Sequence, residues 1–436
     1  MKLPTSVLLT TVFLTAPSFA EWKLSGDYRL RMEFVDNPIR ESSGSEDHAL
    51  SHRLRLQALY KQDSFYFKGE LQDSRMWLDD EGTPIGTDDI NAVEPVQAHI
   101  GWLFDRNGDT HDLKLGRFSV DIGKRRFISR SRYRNTQNSF TGVYYSIKQP
   151  TQWWQFIYAS PDNRFPRDRD SLDGNQVKLD KPYFDNVLYG LHLTSTLNKE
   201  SKLESFYYGL NESDQEDLAT RNRQLHTFGL RLTNQYRPDD WGYEFAGSYQ
   251  IGDARASSSA SDVTDLDVKA YFLHSSFGYQ FTDSLNSRLL FEFDYATGDD
   301  DANDDEYNRF DSLFGLRRFD FGATNLWGVF ARANIVSPGV RWKFKPGKDL
   351  SAFLGYRIYW LDSTNDQLTP IRALNNEGED FVGHQFETRL RWKVSNNFKW
   401  EMGGVYFIKE DFFDNASRVE DDGNASYFYT QATYSF

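Results

Sequence analysis

The sequence predicts an all-β fold: a membrane-spanning, antiparallel up-and-down β-barrel of about 18 strands, with short periplasmic turns and long extracellular loops. Three observations carry this prediction. Apolar and polar residues alternate with period two in segment after segment, short turns exchange with long polar loops, and the only long apolar run stands at the start.

That run is MKLPTSVLLTTVFLTAPSFA, with Lys2 before an apolar stretch from Val7 to Leu14, then Ser18-Phe19-Ala20. A charged start, a short apolar segment and small residues before Glu21 predict a secretory signal peptide over residues 1–20. Residues 21–436 are then one outer-membrane β-barrel domain.

Composition agrees. Mean hydropathy is -0.67, too low for a helical membrane bundle, yet compatible with a barrel, where only every second residue meets lipid. The 24 Tyr, 35 Phe and 11 Trp supply the rings an interfacial girdle needs. Cysteine is absent, so no disulfide framework holds an exported chain, and strand ladder and packing must do so. The net charge of -14 argues against nucleic acid as a partner.

In chain order, the first mature segment sets Trp22, Leu24, Tyr28, Leu30, Met32 and Phe34 against Lys23, Ser25, Asp27, Arg29, Arg31 and Glu33. Leu54, Leu56, Ala58 and Tyr60 follow, then Phe65, Phe67 and Leu71. Val96, Ala98, Ile100, Trp102 and Phe104 form the next apolar face, and Val187, Tyr189, Leu191 and Leu193 a later one. The pattern returns in Phe228, Leu230 and Leu232, in Trp241, Tyr243, Phe245 and Tyr249, and in Leu289, Phe291, Phe293 and Tyr295. It ends with Leu354, Tyr356, Ile358 and Trp360, with HQFETRLRWKV from His384, and with the terminal SYFYTQATYSF. A tilted spanning strand needs roughly 9–11 residues, which these segments supply.

Short turns near 61, 198, 237, 282, 345 and 395 alternate with polar loops near 36–49, 75–91, 119–138, 160–184, 211–224, 252–266, 298–332, 362–381 and 410–423. Rings cluster beside the short turns (Tyr60 and Phe65, Tyr236 and Trp241, Trp392 and Phe398), where a periplasmic girdle belongs. The acidic run DDDANDDEYN from Asp299 lacks the spacing and glycine of an EF-hand loop and reads as a solvated loop, so no metal is expected.

Alternation explains HQFETRLRWKV: Phe386, Thr388, Leu390, Trp392 and Val394 face lipid, while Glu387, Arg389, Arg391 and Lys393 face the lumen. Parity places Arg29, Arg31, Arg53, Arg55, Arg231, Arg288, Arg341, Lys343, Arg357, Arg389 and Arg391 inside as well. At this strand count side chains of the wall cannot fill the interior, so an aqueous channel is expected. The basic stripes at the two ends of the chain should meet when the barrel closes, forming a positive wall suited to carboxylates. The competing view is a neutral structural ladder, because Asp27, Glu33, Glu70, Glu244, Glu292, Asp294, Glu387 and Glu401 share the lumen.

Two stretches carry a more specific signal. LGRFSVDIGKRRFISRSRYRNTQNSFTGVYYS, Leu115 to Ser146, has a Gly-Arg pair ending a strand, an arginine-rich loop and an Asn-x-Phe-x-Gly-Val re-entry. It resembles a block of the alginate-export family of bacterial outer-membrane porins. FEFDYATGD from Phe291, FDSLFGLRRFDFG at 310–322 and SPGVRW at 337–342 resemble a second block. The resemblance implies an 18-stranded barrel with an arginine-lined lumen and a polyuronate as solute. It marks Arg117, Arg125, Arg126, Arg317 and Arg318 as the motif arginines, whereas Arg53, Arg55, Arg389 and Arg391 are constriction candidates from parity alone. Arg117 shares parity with Leu113 and Leu115, which demands either a bulge or a position above the membrane.

The function expected is therefore a passive outer-membrane channel for anionic solutes, most of all alginate or related uronate oligosaccharides. The alternative is a weakly selective general or carboxylate/aromatic-acid porin whose lumenal arginines pair with acids. An adhesin or receptor built on the long loops is a further class. No plug or coupling segment precedes Trp22, so transport should run downhill. The eight histidines are scattered, and no nucleophile-base spacing marks an enzyme or a cofactor. Expected partners are outer-membrane lipid, lipopolysaccharide, an anionic polysaccharide, and the barrel-assembly machinery through the C-terminal strand ending Tyr434-Ser435-Phe436.

Overall fold

The structure is a computed structural model and describes residues 20–39, 46–80, 82–215, 218–419 and 423–436. The leader, residues 1–19, and parts of the loops near 36–49, 75–91, 211–224 and 410–423 lie outside the described residues.

Eighteen strands form the wall. The first six are Glu21–Asp36, Glu46–Gln62, Phe65–Trp77, Asn91–Arg106, Asp109–Phe118 and Phe140–Lys148. Gln152–Pro161, Val187–Thr196, Ser201–Asn211, Gln224–Asn234, Asp240–Arg255 and Asp265–Gln280 follow. Arg288–Ala296, Ile335–Gly347, Leu350–Trp360, Phe381–Lys393, Phe398–Lys409 and Ala425–Ser435 complete it. Each pairs antiparallel with its successor, and the last returns to the first through Tyr28↔Tyr434 and Phe34↔Phe428. Closure pairs the backbone groups of both terminal strands, which no open sheet could do in lipid. A further two-residue strand, Glu306–Tyr307, lies inside a loop and runs parallel to Asp267 and Val268.

Strand faces follow the alternation. Phe386 is 46% exposed on the outside while Glu387 beside it is buried in the lumen. A slip of one residue in register would reverse both, so the lipid face specifies the pairing. Beside the short turns, Trp22 packs on Tyr60 with centroids 5.0 Å apart, Phe65 on Trp102 at 5.7 Å and Trp392 near Trp400 at 6.3 Å. Two short turns that the sequence reading passed over lie at 107–108 and 149–151. In the first, Asn107 and Gly108 have φ of 55° and 87°, the positive pair that a two-residue hairpin matched to strand twist requires.

The interior departs from the open channel expected. Loops 119–139 and 297–334 turn inward and build an apolar core against the loop-side ends of the wall strands. Trp327 stands among Phe407 and Tyr427, and Phe330 stacks on Tyr359 with centroids 3.7 Å apart. Wall side chains alone are too short to fill such a barrel, but folded-in loops supply the missing volume. The loops also hold each other: Ile128 bridges Phe314, and Asn138 Nδ2 donates to the Phe314 carbonyl at 3.2 Å.

Candidate functional site

Beneath these loops, toward the short turns, lies a cavity of about 670 Å³. Among the described residues, its wall carries thirteen arginines and lysines against four carboxylates, Glu244, Glu292, Asp320 and Glu401. Of the residues predicted to line the path, Arg29, Arg53, Arg125, Arg126, Arg318, Arg341, Arg389 and Arg391 reach this cavity. Lys124, Arg132, Arg231, Arg288 and Lys343 join them. Parity had already turned Arg231, Arg288 and Lys343 inward, and Lys124 and Arg132 sit in the arginine-rich block from Leu115 to Ser146.

Loop 119–139 delivers Arg126 into a network of acids. Its Nη1 donates to Glu244 Oε1 at 2.6 Å, and its Nε and Nη2 reach the two oxygens of Asp320 at 3.0 and 3.1 Å. Burial would lower the Arg126 pKa, but Asp320 and Glu244 outweigh it and hold the guanidinium above its ordinary value. Burial likewise opposes the Asp320 carboxylate, yet Arg126 and Arg332 keep it well below the usual carboxylate range. Arg318, from the short helix Arg318–Phe321, reaches Glu401 at 3.2 Å and the Tyr429 hydroxyl. Its guanidinium carbon stands 3.3 Å from the centroid of Tyr133.

Several wall arginines are paired, as the neutral-ladder view expects. Arg341 lies 3.3 Å from Glu292 and donates to the Phe319 carbonyl at 2.9 Å. Arg391 pairs with Glu401, and Arg231 with Glu204 and Glu244. Arg55 and Arg357 lie away from the cavity: Arg55 grips Asp27, with Nη2 at 2.6 Å, and Arg357 reaches Asp294 at 2.8 Å. Arg31, also outside the cavity lining, joins Arg29 and Arg53 in donating to backbone carbonyls of loop 119–139.

Five cavity cations differ. Among the described residues, Arg29, Arg125, Arg288, Lys343 and Arg389 have no carboxylate at ion-pair distance; Arg29 donates to loop carbonyls, which leaves the other four. The three arginines lie against rings instead: Arg125 over Phe319 at 4.4 Å, Arg288 over Tyr236 at 4.3 Å, and Arg389 over Phe353 at 4.7 Å. Aromatic faces orient a guanidinium without neutralising it. The rings were missed as site residues, although Phe353 shares parity with Arg357 and that phase marks it as lumenal.

The motif arginines divide. Arg117 stands at the outer end of its strand with Glu94, and 3.3 Å from Asp162. The ladder is unbroken through Gly116, which has φ 120°, so no bulge resolves the parity conflict; Arg117 instead meets loop 162–186 at the strand end, donating to the Asp180 carbonyl at 3.0 Å. A Cβ at Gly116 would meet the Ala98 carbonyl oxygen at 2.6 Å. Arg317 is half-buried outside the cavity lining, within electrostatic reach of Asp88. The histidine–acid group His274, Asp294 and Asp320 is buried, but Arg126, Arg332 and Arg357 already surround its acids, leaving little room for a cation.

Comparison with known proteins agrees with this architecture. OccAB1 of Acinetobacter baumannii is similar at a TM-score of 0.61 and 11% identity, over 95% of this chain and 97% of that one. OccK5 (OpdH) of Pseudomonas aeruginosa matches at 0.59 and 13%, over 95% and 98%. OpdK of Pseudomonas aeruginosa, solved with vanillate, matches at 0.57 and 12%, over 95% and 98%. No curated protein matches by sequence. The barrel shares the fold of these porins, and its outward apolar face together with the family match makes it a multi-pass channel of the bacterial outer membrane, in contact with membrane lipid. The model of the family described as alginate export matches residues 21–425, and the chain belongs to that family.

Proposed function

We propose that this protein is a passive, anion-selective channel whose solutes are alginate or related uronate oligosaccharides. The observation that carries the reading is the cavity with thirteen cations among the described residues, of which Arg125, Arg288, Lys343 and Arg389 have a side chain bonded neither to an acid nor to a loop carbonyl. Carboxylates suit guanidinium forks, and an excess of positive groups in a confined lumen favours anions. The rings beneath Arg125, Arg288 and Arg389 hold these guanidinium groups in the lumen without neutralising them. Residues 1–20 are the leader of the exported chain, residues 21–436 its barrel domain, lipopolysaccharide the neighbour of its loops, and the terminal strand the element read by the assembly machinery.

A second reading has its own support. Arg55, Arg231, Arg341, Arg357 and Arg391 are paired with acids, which favours a weakly selective carboxylate porin. Reversal potential across a planar bilayer under a salt gradient, followed by oligouronate added to one side, separates the two. The proposal expects anion preference and block by oligouronate, both reduced in Arg389→Gln and Lys343→Gln. A pore indifferent to ion sign and to uronates would leave the second reading standing.

A further inference from the structure

Three arginines of adjacent strands end on one short piece of loop 119–139. Arg29 Nη1 donates to the Tyr133 carbonyl at 2.7 Å, and its Nη2 to the Arg134 carbonyl at 3.2 Å and Asn135 Oδ1 at 2.8 Å. Arg31 Nη2 donates to the Tyr133 carbonyl at 2.8 Å. Arg53 Nη1 donates to the carbonyls of Arg132 and Arg134, both at 2.9 Å. All three are buried, with exposures of 2%, 0% and 4%.

A guanidinium offers five N–H donors in a rigid plane and accepts nothing, so successive carbonyls turned to one side are a natural partner. The dependence is mutual. Buried charge without hydrogen bonds is costly, and so are buried carbonyls without donors. An anion that used these donors would have to displace the loop backbone first. The Tyr133 ring extends the contact, because the Arg31 guanidinium lies 4.0 Å from its centroid and Arg318 of loop 297–334 lies 3.3 Å from it. The grip on residues 132–135 therefore also seats the second loop.

We infer that Arg29, Arg31 and Arg53 are positioning residues that clamp loop 119–139 across the lumen and set the width of the solute path. Anion recognition is left to Arg125, Arg288, Lys343 and Arg389. The inference rests on the channel reading above.

Single-channel recording on Arg29→Lys and Arg53→Lys tests it, since lysine keeps the charge but loses the fork. The expected result is a rise in open-channel conductance with the sign of the reversal potential retained, together with faster amide exchange over residues 130–136. Unchanged conductance and exchange, with reduced anion preference, would overturn the clamp and assign these side chains to the permeating ion. Heat-dependent mobility on SDS gels establishes that each variant barrel is folded. Asn135→Ala tests the clamp from the loop side: it removes donors to the carbonyls of His52, Arg75 and Asp89 and leaves the wall intact. It decides in the same two directions if a wall variant does not fold. A wild-type pore without ion preference would remove the anion reading, while conductance and exchange would still judge the clamp.

Discussion

Arg126 of loop 119–139 holds Asp320 of loop 297–334 by a two-pronged hydrogen bond, Nε to Oδ2 at 3.0 Å and Nη2 to Oδ1 at 3.1 Å. Two segments far apart in the chain thereby become one obstruction inside the barrel.

Asp320→Asn should loosen that obstruction while leaving the wall closed. Removing one partner of a buried pair costs about 3–5 kcal/mol, because Arg332 would keep its charge without a counterpart and Arg126 would retain only Glu244. Amide exchange over residues 312–334 is expected to accelerate, with strand amides unchanged. Equal protection in both proteins would show that the apolar core alone seats the loop.

Trp327→Ala addresses that core. The ring is 1% exposed, and removing a buried tryptophan costs about 3–5 kcal/mol through lost transfer energy and the cavity left behind. The loop end of the lumen should open, so single-channel conductance is expected to rise. Unaltered conductance would place the solute path away from Trp327.

Loop 162–186 is expected to respond to pH. Asp180 is buried near Glu94, and burial first, then that neighbouring acid, raises its pKa to about 7. Its unfolded value is about 3.9, so the folded state favours the protonated form. The resulting stability is full below the unfolded value and is lost as pH rises through about 7. Amide exchange over residues 162–186 should therefore speed up on the alkaline side, and Asp180→Asn should abolish the change. A flat profile in the wild type would refute it.

Gly116→Ala should destabilise the barrel by about 1–3 kcal/mol, the range for a strained backbone conformation. The new methyl would stand against the Ala98 carbonyl oxygen, and φ is 120°. Arg117 would leave Glu94 and Asp162 as the strand relaxes. A lower temperature for conversion to the heat-denatured form on SDS gels is the expected reading, and an unchanged temperature would reject the strain argument.

Phe436→Ala tests the terminal strand. The backbone of Phe436 exchanges hydrogen bonds with Gly26 at 2.9 and 3.0 Å, and its ring stays 54% exposed on the lipid side. Slower appearance of the folded form after synthesis is expected if the assembly machinery reads that ring. Equal rates would remove Phe436 from the signal.

The sequence by itself determined the wall. Period-two alternation in stretches such as Phe386 to Lys393 separates a lipid face from a lumenal one, and turn and loop lengths order the strands, because both are local properties of the chain. Parity also turned Arg29, Arg53, Arg341 and Arg389 inward. What each does there was decided only in three dimensions. Arg29 and Arg53 meet loop carbonyls, Arg341 meets Glu292, and Arg389 meets a ring. Loops 119–139 and 297–334 have no strand period, so nothing local states whether they fold outward into water or inward onto the wall. Pairs such as Arg126 with Asp320, 194 residues apart, and the contact of Trp327 with Phe407 make that choice, and such contacts exist only once the barrel has closed.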